Sequence, residues 1–171
     1  MAKMTSAYAN KVLRKLNEDK EFWRRREQEG YVYVAALDEE PVIPEYDYSE
    51  VAANIAEIDE KIIKIKHAVN LSNATNEIVV GGEAMTIDTV LIKMAQLNRR
   101  KEVLDNMRKM QPKVRINSGY YSARKTAPEY QYINYDLELI KSEYAKIDAL
   151  IADCQIALDK YNQTVEFEVE V

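Results

Sequence analysis

Apolar positions recur with helical period in four long blocks, and the sharpest block covers 133–161. There Ile133, Leu137, Ile140, Tyr144, Ile147, Ile151, Cys154, Leu158 and Tyr161 follow alternating steps of four and three, the a/d seam of a heptad helix. Val51, Ile55, Ile58, Ile62, Ile65 and Val69 repeat that alternation, in a helix opened by Tyr48-Ser49-Glu50 and expected to end near Asn73. A thinner stripe of Val12, Leu13, Leu16, Phe22 and Trp23 predicts a helix over 5–29, with Thr5 and Ser6 as N-caps and Gly30 as the left-handed C-terminal residue. The third helix starts at Thr86 with Asp88 in its first turn, and its stripe is Ile87, Val90, Met94, Leu97, Leu104 and Met107. Lys101 falls where an apolar residue is due, which predicts an overhang or curvature; Pro112 stops the helix, and Pro128 with Glu129 opens the fourth.

The connections are of a different character. Tyr31, Tyr33 and the valines beside them favour extended backbone, and Pro41 and Pro44 forbid a helix through that stretch. Glu77–Val80 followed by Gly81-Gly82 reads as a short strand and a turn. Residues 113–130 read as irregular or partly extended, and 164–171 alternate strictly into one acidic and one apolar face, a terminal strand.

The second and fourth helices match at a fixed offset of 89 residues. Ala56/Ala145, Ile58/Ile147, Asp59/Asp148, Ile62/Ile151, Asn73/Asn162, Thr75/Thr164 and Glu77/Glu166 are identical. The first and third echo each other more weakly, Val12-Leu13-Arg14-Lys15-Leu16 lying over Val90-Leu91-Ile92-Lys93-Met94. The expected fold is mainly α: four long antiparallel helices from two duplicated helical hairpins, a bundle with short β segments at its ends. It is read as one domain over 1–171, built of repeats at about 5–80 and 86–171. The shared Asn-x-Thr at Asn73/Thr75 and Asn162/Thr164 is read as a structural helix-to-strand junction.

Charge and composition narrow the partners. Four Gly and four Pro in 171 residues leave little room for long loops, and a net charge of −5 argues against a general nucleic-acid or anionic-membrane binder. The one cysteine, Cys154, lies in the seam as a small hydrophobe, which suits a reducing compartment. The charged opening segment is unlike a signal peptide and no apolar run could span a bilayer, so the expectation is a cytoplasmic protein.

No catalytic constellation emerges. A single histidine, His67, gives no metal cluster; Gly81-Gly82 lacks the context of a phosphate loop; the inward Glu-x-x-His of di-metal bundles is missing. The expectation is a non-enzyme without cofactor or metal. Two features point to association instead. Lys113, Arg115, Tyr120, Tyr121, Arg124 and Lys125 form a basic, aromatic loop able to meet an anion, bases, or an acidic protein face. Many of the twelve tyrosines fall in connections, and Val165, Phe167, Val169 and Val171 would make an apolar edge open to another chain. The intramolecular alternatives for that edge are Glu77–Val80 and 113–117.

The layout, with Val69-Asn70-Leu71-Ser72-Asn73-Ala74-Thr75 and Leu158-Asp159-Lys160-Tyr161-Asn162-Gln163-Thr164 at its two junctions, resembles the septicolysin-like bacterial proteins. Asp159 stands where that family has glutamine, and Gln163 where it has tryptophan, so the resemblance is to a divergent member. It implies a helical protomer assembling into ring-like homo-oligomers, and the family name carries a pore-forming reading. The leading expectation is therefore a structural, self-assembling protein whose partner is itself. A pore-forming or membrane-active protein is the alternative, and a nucleic-acid- or protein-binding module acting through 113–125 is the third reading.

Overall fold

The structure is a computed structural model, and it describes residues 2–116 and 128–170. Mainly helical, it orders its elements as β1 (Ala2–Thr5), α1 (Ser6–Gly30), α2 (Tyr48–Thr75), β2 (Glu77–Val80), β3 (Glu83–Thr86), α3 (Ile87–Arg108), β4 (Lys113–Arg115), β5 (Tyr130–Tyr132), α4 (Leu137–Thr164) and β6 (Glu166–Val169). Every strand sits in a two-stranded sheet: β1 with β6, β2 with β3, and β4 with β5.

Helix starts follow the capping residues. Thr5 accepts the Tyr8 N–H at 3.2 Å, and Asp47 accepts those of Ser49 and Glu50 at 2.7 and 3.2 Å. At α4 the expected start moves. Pro128 and Glu129 do not open the helix; Asp136 does, accepting the Glu138 and Leu139 N–H groups at 2.9 and 3.2 Å. Tyr130–Tyr132 is instead strand β5, so Ile133 lies before the helix that its spacing matches.

Gly30 also departs from expectation. It is the last residue of α1 and has no positive φ. Its lack of a side chain serves a close approach: a Cβ there would lie 2.6 Å from the Cβ of Tyr46. Among the described residues the glycines in the left-handed region are Gly81 and Gly82, at φ of +60° and +86°, in the turn between β2 and β3.

The chain divides into two compact units, residues 1–78 with 158–171, and residues 79–157. In the first, Met4, Ala9, Ile65 and Val169 form the buried centre, flanked by Val12, Leu13, Leu16, Ala68, Val69 and Phe167. β1 and β6 pair antiparallel, with Ala2 opposite Val169 and Thr5 opposite Glu166. The terminal strand thus takes β1 as its partner, which neither intramolecular alternative had named. In the second unit Met85, Ile87, Val90, Leu104, Ile140, Ile151 and Cys154 are buried. The Cys154 thiol is free, and burial pushes its pKa up, leaving it protonated and unreactive.

Positions paired by the repeat in the sequence share their burial. At the 89-residue offset Val51/Ile140, Ile62/Ile151, Ile65/Cys154 and Val80/Val169 are buried in pairs. For the first helices the structural offset is 81: β1 and β3 share a burial pattern, Met4 answers Met85, and buried Ser6 and Ala9 answer Ile87 and Val90. That register is three residues, nearly one helical turn, from the Val12/Val90 match, which helical periodicity alone does not separate. Ion pairs recur at the same offsets: Lys20 Nζ meets Asp59 at 2.6 Å, and Lys101 meets Asp148. Lys101 accordingly stays on the seam, half-buried, with its ammonium 5.6 Å from the Tyr144 ring centroid. An ion pair occupies the position where an overhang was expected.

Candidate interaction surfaces

The Asn-x-Thr junctions are local devices. Thr75 Oγ1 donates to the Leu71 carbonyl at 2.8 Å and Thr164 Oγ1 to that of Lys160 at 2.7 Å, each closing the last turn of its helix. Asn73 lies inside α2 and Asn162 inside α4; the residue that caps α2 is Asn76, whose side chain donates to Ser72 O and Oγ at 2.9 and 3.1 Å. Ser72 is itself buried, and its hydroxyl is 2.6 Å from that of Tyr161. Those two residues are 89 apart, so equivalent positions of the repeat touch each other, a small side chain against a large one.

Beside this junction a cleft of about 490 Å³ opens between the end of α2 and β6, lined by Lys64, His67, Leu71, Ser72, Phe167 and Glu168 among others. His67 stands exposed at its rim, and Ser72 Oγ is committed to Tyr161 and Asn76. Among the described residues no three His, Cys, Asp or Glu side chains gather as a metal set. In the terminal strand Val169 is buried, while Val165 and Phe167 are half-buried. Val171 lies outside the described residues, as do Tyr120, Tyr121, Arg124 and Lys125 of the basic loop.

The described part of that loop is the β4–β5 pair. Lys113 lies opposite Tyr132 and Arg115 opposite Tyr130, and all six strand residues are exposed. The Lys113 ammonium sits 4.2 Å from the Tyr130 centroid and 5.4 Å from that of Tyr132, a cation held over two rings. Alternation puts Lys113, Arg115, Tyr130 and Tyr132 on one face. Ile116 N–H donates to the Glu129 carbonyl at 2.9 Å and Ile133 N–H to that of Pro112 at 3.3 Å. That register turns the peptide groups of Lys113, Arg115, Tyr130 and Tyr132 outward, along the two outer edges of the sheet.

In the α1–α2 connection, 31–47, every residue from 31 to 43 is exposed. Its base is anchored where Tyr46 lies against Gly30 and lines a small groove with Glu27, Gln28, Tyr31 and Tyr48. Burial, then the charges of Glu27, Tyr48 and Asp47, raise the Tyr46 phenol, so it stays neutral. Beyond the base the arm forms no strand. Val34, Leu37 and Val42 are 96%, 108% and 90% exposed, and none of the described residues covers them. Covering a side chain of that type is worth about 1.5–3 kcal/mol. Asp38, Glu39, Glu40, Glu45 and Asp47 give the arm five acidic residues and no basic one. The chain has 24 basic and 29 acidic residues, so everything outside the arm is neutral, 24 against 24. The sequence marks the tyrosines and valines at the start of this arm as extended backbone; its concentrated charge emerges only when charge is summed by segment.

No protein-family model matches the chain, and no curated protein matches it. The fold is similar to that of a crystal structure described as a functionally unknown conserved protein from Corynebacterium diphtheriae. That match has a TM-score of 0.64 at 12% identity and covers 98% of this chain and all of that one. No helix among the described residues is long and apolar enough to cross a membrane.

Proposed function

We propose that this protein is a structural building block that associates with copies of itself through the exposed arm at 31–47, closing into a ring-like homo-oligomer. One observation carries the reading: three large apolar side chains, Val34, Leu37 and Val42, stand in solvent on a segment that holds the whole net charge. An apolar stretch left uncovered in one chain is stabilised by burial against another. The resemblance to septicolysin-like proteins supports the same form of assembly. Light scattering of the intact chain, beside one in which 32–44 is replaced by a Gly/Ser linker of equal length, tests it. A closed oligomer that becomes a single chain of 19.8 kDa without the arm is expected. Monomers in both cases would remove the reading, and dye release from liposomes by the purified protein would replace it with the membrane-active one.

A further inference from the structure

The two helix–helix connections carry opposite charge. Residues 31–47 hold five acidic side chains and no basic one, whereas 109–136 hold five basic and two acidic ones. The described part of the second connection presents Lys113 and Arg115 with Tyr130 and Tyr132 on one face, and both outer edges of its two-stranded sheet have outward peptide groups. The first connection offers the matching half: Tyr31-Val32-Tyr33-Val34, β-prone and in no strand, followed by Asp38, Glu39 and Glu40. Among the described residues neither half is covered by another part of the chain. Val34 and Leu37 are fully exposed, and Arg115 has no carboxylate partner among the described residues.

We infer that the arm of one copy adds as a strand to the β4–β5 edge of the next, its carboxylates meeting Lys113 and Arg115. This deepens the assembly reading above and rests on it. The occupant is a second copy because its charge and backbone needs are met by a segment of the same chain. The contact is head to tail: one copy gives an arm and receives another on a different surface. Contacts of that kind close into a ring when the rotation between neighbours divides a full turn, and extend as a filament otherwise. Main-chain pairing supplies affinity, and the charges fix which segment docks.

The test exchanges the charges. Asp38→Lys, Glu39→Lys and Glu40→Lys in one protein, and Lys113→Glu and Arg115→Glu in a second, alter exposed side chains only, and circular dichroism checks that both keep their helices. By light scattering each alone is expected to have the mass of one chain. An equimolar mixture is expected to regain the native mass, since each reversed surface then meets its complement. Arg24→Glu with Arg25→Glu on α1 is expected to leave assembly intact. Without any substitution, raising NaCl to 1 M, where the screening length falls to about 3 Å, is expected to weaken assembly at least tenfold. Retained assembly in both reversed proteins would overturn the docking while leaving self-assembly standing. So would failure of the mixture to reassemble, or dissociation by the α1 variant. A monomeric native chain would instead remove the assembly reading, and the docking with it.

Discussion

The two repeats agree along their helices and disagree where the helices are joined. Lys20–Asp59 in the first is answered by Lys101–Asp148 in the second, and buried Ile65 by buried Cys154. Between α1 and α2, however, the chain makes an acidic arm without strands. Between α3 and α4 it makes a basic pair of strands. Helix faces that bury the same positions tolerate few changes, because volume and shape are fixed by close packing. Connections are free of that constraint and can take opposite charge. The difference teaches where to look: the helices carry the matching framework, and the two connections, unlike in charge and structure, are where the proposed association is placed.

Substitutions at paired positions can break or sharpen the comparison. The largest effect is expected at Ile65, which has no exposure: Ile65→Ala should lower unfolding free energy by about 2–5 kcal/mol. Cys154→Ala, at the equivalent site with less volume to lose, should cost clearly less. Urea unfolding measures both, and equal losses would mean the two sites are not packed alike.

Gly30→Ala is next. Its new Cβ would sit 2.6 Å from Tyr46, and overpacking of that kind costs about 1–3 kcal/mol. Intrinsic tyrosine fluorescence should change with it, as the arm's base is pushed away; a fully neutral outcome would show that the arm is not anchored there.

At the Ser72–Tyr161 contact, Tyr161→Phe should cost about 1–3 kcal/mol, because a buried hydroxyl loses a partner. The double variant with Ser72→Ala should cost less than the two singles added. Strict additivity in thermal unfolding would show that the repeat positions do not interact.

The smallest effect is one of pH. Asp105, held by hydrogen bonds from Lys109 and then Arg108 and by their charges, has its carboxyl below the usual aspartate range. A lowered carboxyl contributes stability above its ordinary pKa, and that contribution fades as pH falls through the lowered one. Asp105→Asn should therefore flatten the loss of stability under acid, read as melting temperature against pH between about 5 and 2. A Glu21→Gln control in α1 should leave that profile unchanged.

Much of the framework was legible in the residues. Heptad spacing placed α2 to within a few residues, and of its stripe along α4 Ile140, Ile151, Cys154, Leu158 and Tyr161 are buried. Thr5, Pro112 and the Gly81-Gly82 turn marked boundaries by their own chemistry. Strands β1 and β3 escaped notice because Ala-Lys-Met-Thr and Glu-Ala-Met-Thr are four residues long, with one buried side chain each, too short for alternation to register. β5 was absorbed into α4 because Pro128-Glu129 has the look of a helix start, while the deciding carboxylate, Asp136, lies eight residues on. The arm was half seen: its tyrosines signalled contact, but exposure is a property of what fails to pack, and no local pattern encodes that.

The pairing of β1 with β6 has a consequence for connectivity. Ala2 lies opposite Val169, as the Gly81-Gly82 turn joins the equivalent strands β3 and β2. A circularly permuted chain, cut between the two glycines and bridged from Val169 to Ala2 by a short linker, would keep every strand its neighbour and read its repeats in reverse order. The fold has two interchangeable points of entry.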